Sequence, residues 1–334
     1  MATVLQTDHA WSDVEIERSV VEAAGHRLVT GPAAPASAQD IEALVARHDP
    51  EAIMTCWATV SVAGIRQPRN LRIVQRIGVG LDNIAVGAAT ARGAWVANVP
   101  DYCVGEVADH AIALLLDWAR GTVSFDRDVK SGHWNPASAR LRRVADLTVG
   151  IVGYGRIGKA TAKRLRAFGC RLLVSTRAVA DVPSDERVTL TELLGRSDVI
   201  ILHAPLTDKT RHLIGQPELS LVKPGAYLIN VSRGPLVDNS ALLWALESRR
   251  LSGAGLDVID GEPDVPRRVV DRPDVVVTPH VAFSSDASLI ELRRRAAEEV
   301  VRVLDGKPPS TPATHWLVRH ERHEHSSRAR DGKY

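Results

Sequence analysis

Short, nearly uninterrupted apolar runs alternate along the chain with stretches whose apolar residues recur every three or four positions. In the first hundred residues, Thr3 to Thr7, His26 to Thr30, Glu51 to Cys56 and Leu71 to Arg76 read as strands. Asp13 to Ala24 and Ala38 to Arg47 read as helices between them. This alternation predicts a parallel sheet, because parallel neighbours need a long crossover and helices supply it. Gly31-Pro-Ala-Ala-Pro35 and Gln67-Pro68 punctuate the region as turns. A long helix from Val104 to about Arg120 presents Val107, Ala111, Leu114, Leu115 and Trp118 on one face, and Ser131-Gly-His-Trp-Asn-Pro136 is expected to break it off. A second series follows, with strands expected at Leu147 to Val152, Arg171 to Ser175, Val199 to His203, Tyr227 to Val231, Gly255 to Val258 and Val275 to Thr278. One more helix, about Ser288 to Leu304, precedes a Pro-rich turn from Lys307 to Pro312.

At 334 residues the chain is long enough for two domains, each with its own core. The expected division is 1–100 with 284–334, and 101–283, giving two doubly wound parallel-sheet α/β domains. The strand–helix order of the first is flavodoxin-like and that of the second is of the Rossmann type. A cleft is expected between them, with chain crossings near Pro100 and Phe283 as hinges. Hydrophobic residues make up 45% and charged residues 25%, which excludes global disorder. A formal net charge of +2 and an aromatic content of 4% give no footprint for nucleic acid. The longest strongly apolar run, Ala111 to Leu116, is far short of the ~20 residues that span a bilayer, so no membrane partner is expected. The N-terminus lacks a basic region followed by an apolar run, and Cys56, Cys103 and Cys170 match neither a metal nor a disulfide spacing. A cytoplasmic protein without a metal is expected. The tail from about Arg319 carries His320, His323 and His325, and a solvated, disordered terminus is expected there rather than a metal site.

The first candidate chemistry is Gly153-Tyr-Gly155-Arg-Ile-Gly158, after an expected strand and at the start of an expected helix, Ile157 to Phe168. That context reads as a dinucleotide fingerprint: Gly153 for the turn, Gly155 for close approach of a diphosphate, Gly158 for helix packing on the strand. Arg156 and Ile157 open the helix; Arg156 either pairs with phosphate or faces water. The fingerprint also expects an acid about 20 positions on, to grip the ribose 2′-hydroxyl. The strand there ends Ser175-Thr176-Arg177 instead. Small hydroxyls beside an arginine welcome a 2′-phosphate, so NADP(H) is expected over NAD(H), which stays possible.

Three further segments each end an expected strand: Leu228-Ile-Asn-Val-Ser-Arg-Gly-Pro-Leu-Val-Asp238, Gly253-Ala-Gly-Leu-Asp257-Val-Ile-Asp-Gly-Glu262-Pro263, and Val277-Thr-Pro-His280-Val-Ala-Phe283. Singly, each has an ordinary reading as a cap, a strand end or a buried turn. Together with the glycine loop, and with Arg76-Ile-Gly-Val-Gly-Leu-Asp-Asn83, Asn98-Val-Pro100 and Val107-Ala-Asp-His110, they resemble the D-isomer-specific 2-hydroxyacid dehydrogenase family over nearly the whole chain. The N-terminal motifs and Phe283 look closest to its branch of corepressor-like C-terminal binding proteins.

The resemblance implies a hydride transfer between NAD(P)H and a small 2-oxo acid, giving a D-2-hydroxy acid. Arg233 would hold the carboxylate and polarise the ketone, with N–H groups around Val79 and Gly80 on the other side. His280 would protonate the oxygen, and Glu262 would orient the imidazole and stabilise its charged form. Asp257, with Val231 and Ser232, would fix the nicotinamide carboxamide. Formate dehydrogenases of similar pattern carry Gln in place of Glu262, so proton transfer is expected here. Ala204, Pro205 and Thr210 match the family's cofactor-side loop, where His203 more readily packs than catalyses. Phe283 either lines the substrate pocket or packs a hinge, and Trp134 either covers a partner's site in a homodimer or fills a core. Thr55 to Val60 are expected among the substrate determinants, and Arg66 and Arg72 are weak candidates for a second anionic group. Two alternatives stay open: a nucleotide-sensing, corepressor-like binding protein, and a phosphite- or phosphonate-directed dehydrogenase.

Overall fold

Five apolar runs of the N-terminal region form one parallel sheet: β1 (Thr3–Gln6), β2 (Arg27–Thr30), β3 (Ala52–Thr55), β4 (Ile73–Arg76) and β5 (Trp95–Ala97), in the order β2-β1-β3-β4-β5. The structure is a computed structural model, and it describes residues 1–33, 36–177, 182–184 and 186–313. The charged tail expected to be disordered lies outside the described residues. Helices α1 (Glu15–Ala23), α2 (Ala38–His48), α3 (Val62–Arg66) and α4 (Val86–Ala91) make the crossovers. Alternate strand residues face opposite sides of a sheet. On one side Leu5, Ile53, Val74 and Val96 pack with Ile41 and Val45 of α2, Ile65 of α3 and Ala89 of α4. Burying each of these Leu, Ile and Val side chains stabilises by roughly 1.5–3 kcal/mol. Neither α3, α4 nor β5 is expected from the sequence pattern; at 5, 6 and 3 residues they are too short to show a period.

Six later runs form a second parallel sheet: β6 (Thr148–Val152), β7 (Arg171–Ser175), β8 (Val199–Leu202), β9 (Ala226–Asn230), β10 (Leu251–Leu256) and β11 (Val275–Val277). Their order is β11-β10-β9-β8-β6-β7, and Val174 of β7 makes one further parallel bridge to Arg187. Counting that bridge as a residual edge strand, the sheet has the Rossmann arrangement, with its reversal between β6 and β8. Around it lie α5 (Val104–Arg120), α6 (Thr122–Lys130), α7 (Arg156–Ala167), α8 (Leu190–Arg196), α9 (Gln216–Leu221), α10 (Asn239–Glu247) and α11 (Arg267–Val270). The chain then continues into α12 (Asp286–Leu304).

Helix α5 ends at Arg120, where expected, but Gly121 with a left-handed φ of 65° ends it rather than the segment from Ser131, and α6 starts at once. One boundary differs from expectation for a local reason. Strand β10 begins at Leu251 rather than Gly255, because Gly253 and Gly255 hide its apolar pattern.

By their contacts, Met1–Tyr102 and the described residues from Asp286 onward form one unit, and Cys103–Ser285 the other. Two arginines fasten α12 within the first unit. Arg293 is buried against Glu17, with Nη2 2.8 Å from Oε2, and also reaches Asp13. Arg72 donates to the carbonyls of Val303 and Leu304, where the helix leaves its last carbonyls without partners. Arg72 is therefore a helix cap and not a candidate for a second substrate anion; Arg66 lies exposed in the last turn of α3. Cys56, Cys103 and Cys170 are free and buried. Among the described residues no helix is long and apolar enough to cross a membrane, and no cluster of side chains has the makings of a metal site.

Candidate active site

At the end of β6 the chain turns at Gly153, with a left-handed φ of 97°. Any Cβ there would sit 2.6 Å from the His203 carbonyl oxygen and 2.8 Å from Ala204 N, so only glycine lets this loop lie on the end of β8. The Gly153 N–H donates to the Ser175 carbonyl (2.8 Å), which joins the loop to the end of β7. A Cβ on Gly158 would lie 2.3 Å from the Gly153 oxygen, whereas nothing lies within 4 Å of the position a Gly155 Cβ would take. Helix α7, 12 residues long, begins with no side-chain cap and no acid in its first turn. An open glycine at an uncapped helix N-terminus fits the diphosphate of a dinucleotide, which takes N–H donors and the positive end of the helix dipole. Arg156 is exposed and Ile157 half-buried at that end. Ser175 and Thr176 are half-buried and Arg177 is exposed just beyond β7.

Beneath the loop lies His203. Its Nε2 is 3.0 Å from Thr161 Oγ1 of α7, and its Nδ1 has no hydrogen-bond partner among the described residues. Burial pushes its pKa down from the ordinary 6.5 to about 4. The unfolded chain takes up this proton first as pH falls, so the stability His203 contributes is complete above pH 6.5 and is lost towards pH 4. Over that window the melting temperature of the wild type is expected to fall more steeply than that of His203→Gln. Parallel melting curves for the two proteins would remove the burial argument.

Strands β9, β10 and β11 are neighbours, and each is followed by one polar side chain of interest: Arg233, Glu262 and His280. Open α/β sheets place their chemistry at these carboxyl ends. Arg233 is extended, with Nη1 on the Ser232 carbonyl (2.8 Å), and Asn230 Nδ2 donates to the Arg233 carbonyl (2.8 Å). Gly234 presses on the segment after β10: a Cβ would lie 2.2 Å from the Ile259 carbonyl carbon and 2.4 Å from Asp260 N. Asn239 Nδ2 donates to the Asp260 carbonyl (2.8 Å) and fastens the same two loops. From that segment Glu262 accepts the Ile259 N–H on Oε2 (3.3 Å) and faces His280 Nδ1 with Oε1 at 2.8 Å. A carboxylate only accepts, so Nδ1 carries the hydrogen in this contact.

His280 itself is left-handed, with φ 54°. For a non-glycine residue this costs on the order of 1–3 kcal/mol and must be held in place. Asp257, 1% exposed, holds it. Its Oδ1 accepts from Thr278 Oγ1 (2.6 Å) and Val281 N (2.9 Å), its Oδ2 from Ala282 N (2.9 Å), and its carbonyl from His280 N (2.8 Å). Asp257, assigned by resemblance to the nicotinamide carboxamide, thus directs its carboxylate at the loop that carries His280. Phe283 closes that loop, its ring edge-on to the imidazole at 6.3 Å between centroids.

The remaining candidates are placed as follows. Val231 is buried, and Ser232 Oγ donates to the Leu202 carbonyl (2.7 Å), tying the end of β9 to that of β8. After β8 come Ala204 and Pro205, and the Thr210 hydroxyl donates to the Pro205 carbonyl (2.7 Å) and accepts the Thr207 N–H (2.7 Å), so it shapes this turn. In the first unit, Val79 and Gly80 follow β4, and Asn98 Nδ2 holds the Val79 carbonyl (2.6 Å). Nearby in that unit, buried Asp8 accepts the N–H groups of Cys56, Trp57 and Ala58 at 2.9, 2.6 and 3.0 Å and fixes the loop after β3. The sequence does not disclose this role, because the partners lie some fifty residues apart. Trp134 is 83% exposed, so it does not fill a core in its own chain.

Residues 112–282 match the family model described as D-isomer specific 2-hydroxyacid dehydrogenase, NAD binding domain. A glyoxylate reductase of Pyrococcus furiosus is 41% identical over 246 residues, which cover 70% of this chain and 72% of that protein. The NADPH-dependent glyoxylate/hydroxypyruvate reductase of Sinorhizobium meliloti, solved with NADP and malonate, superposes with a TM-score of 0.80 at 31% identity over 93% of this chain and 96% of that one. The D-lactate dehydrogenase of Aquifex aeolicus, solved with NAD and lactic acid, also gives 0.80, at 27% identity over 91% and 96% of the two chains. These relatives are named as enzymes, and they do not single out the corepressor-like branch. The chain belongs to the D-isomer-specific 2-hydroxyacid dehydrogenase family and is an oxidoreductase of that family.

Proposed function

We propose that this protein reduces a small 2-oxo acid to the D-2-hydroxy acid with NADPH or NADH, using Arg233, Glu262 and His280. The 2.8 Å contact between Glu262 and His280, beside an arginine loop that Gly234 presses on the same segment, carries this reading. The planar, always-charged guanidinium of Arg233 pairs with the substrate carboxylate and polarises the keto oxygen. Glu262 keeps the ring oriented with Nδ1 protonated, and His280 Nε2 gives its proton to that oxygen as the carbon is reduced. In the reverse direction Nε2 takes the proton of the hydroxyl group. The glycine loop and α7 hold the diphosphate, and the nicotinamide, when bound, supplies the hydride. Phe283, against the imidazole, lines the substrate side and favours an apolar substituent.

The residues after β7 support NADPH as the preferred donor, since Ser175, Thr176 and Arg177 offer hydrogen bonds to a 2′-phosphate. Catalytic efficiency with NADPH is expected to exceed that with NADH, and Arg177→Ala should shrink the ratio about tenfold, the scale of one hydrogen bond to a charged group. Equal efficiencies in the wild type would refute the assignment. A homodimer is part of the same reading: α6 buries none of its residues in its own chain, and Val123, Val129 and Trp134 are exposed along the strip that a second copy would cover. The experiment for the function as a whole is a panel of 2-oxo acids headed by glyoxylate, with phosphite included, run with both nucleotides. Turnover of 2-oxo acids supports it; turnover of phosphite alone, or nucleotide binding with no turnover, rejects it.

A further inference from the structure

We infer that His110 is a positioning residue of this site, acting on His280 through Thr278 and Asp257; the inference rests on the reading of His280 as the proton donor. The hydroxyl of Thr278 has one proton, and it goes to Asp257 Oδ1 at 2.6 Å, because that carboxylate has none to give. Thr278 Oγ1 is then the acceptor for His110 Nε2 at 2.9 Å, which fixes the tautomer of His110 as the one protonated at Nε2. The same nitrogen lies 3.6 Å from Asp257 Oδ1. One turn earlier on α5, Glu106 Oε1 accepts from Ser285 Oγ (2.8 Å). Helix α5 therefore grips the segment 278–285 at both ends, and His280 sits between the grips.

This arrangement answers a mechanical need. A left-handed, non-glycine backbone relaxes unless its surroundings over-determine it. The backbone of His280 is bonded to the Asp257 and Thr278 carbonyls, the Asp257 carboxylate holds the residues on either side, and His110 reaches that pair from α5. Without it the Thr278 hydroxyl loses the donor that holds its lone pair, and the loop gains freedom where the position of His280 Nε2 matters. Arg233, on the loop after β9, keeps its own anchors on Ser232 and Asn230. The loss should thus fall on the chemical step and not on substrate binding, since misplacing a reacting group by about 1 Å costs up to 100-fold.

The test is a cycle of His110→Ala, His110→Gln and His280→Ala with glyoxylate and NADPH, following kcat, KM, the solvent isotope effect on kcat, nucleotide affinity and the melting temperature. His110→Ala is expected to lower kcat roughly 10- to 100-fold with KM within about twofold and nucleotide affinity unchanged. The solvent isotope effect should rise as proton transfer becomes slower. His110→Gln, which keeps an N–H donor, should recover most of kcat. On the residual turnover of His280→Ala, adding His110→Ala should cost nothing more. A kcat for folded His110→Ala within about twofold of wild type, a loss confined to KM, or the same further loss in the His280→Ala background overturns the inference. Wild-type turnover by His280→Ala overturns the reading of His280 itself; loss there with none in His110→Ala overturns this inference alone.

Discussion

Replacing His280 by alanine is expected to lower kcat for 2-oxo acid reduction by about 10²- to 10⁴-fold, the usual contribution of a positioned general acid. The effect should be confined to that step. The glycine loop lies at the end of β6 and Arg233, the proposed partner of the substrate carboxylate, follows β9, so neither depends on the imidazole. Nucleotide affinity and the KM for glyoxylate should therefore stay within about twofold of wild type. Steady-state rates with a fluorescence titration of NADPH check this. A variant that retains wild-type kcat means that some other group, or water, protonates the oxygen. The choice of nitrogen follows from the tautomer: with Nδ1 committed to Glu262 at 2.8 Å, the proposed exchange with substrate falls to Nε2.

Arg233→Lys is expected to lower kcat/KM by about 10²- to 10³-fold although the charge is kept. A guanidinium presents donors in a planar fork and serves carboxylate and keto oxygen together, whereas an ammonium is a point charge on a flexible stem. The loss should appear in both KM and kcat, because the same group binds the ground state and stabilises charge on the oxygen as it is reduced. Arg233→Ala supplies the control: added guanidinium ion should recover part of its rate. An unchanged KM in both variants would mean that the substrate carboxylate is held elsewhere.

Much of the architecture can be read from the chain because parallel strands covered on both faces are continuous apolar runs. Val199–Leu202 and Ala226–Asn230 are buried along their whole length, and both appear in the sequence within a residue or so of their ends. Helix α5 is legible for a related reason, its buried Val107, Ala111, Leu114 and Leu115 recurring at helical spacing. Elements without a buried, repeating apolar face are not legible. The five residues of α3 complete little more than one turn, and α6 buries no residue at all, so neither imposes a period on the sequence.

At the site, legibility stops at the side chains that carry chemistry. Arg233, Glu262 and His280 stand in motifs, and resemblance assigns them roles. What places them is a set of contacts between segments far apart in the chain. Gly234 against Ile259 and Asp260, Asp257 against residues 278–282, and His110 against Thr278 leave no local signature. Arg72 shows the converse: as a residue type it suits an anion, and only the fold spends it on the end of α12.

The most direct measurement is the stoichiometry and stereochemistry of turnover by the purified protein, with pyruvate or hydroxypyruvate and NADPH as substrates. The account predicts one D-2-hydroxy acid formed for each NADPH oxidised, at a rate that His280→Ala lowers by about 10²- to 10⁴-fold. Formation of the L-isomer, or tight nucleotide binding with no 2-oxo acid reduced by the wild type, would contradict it.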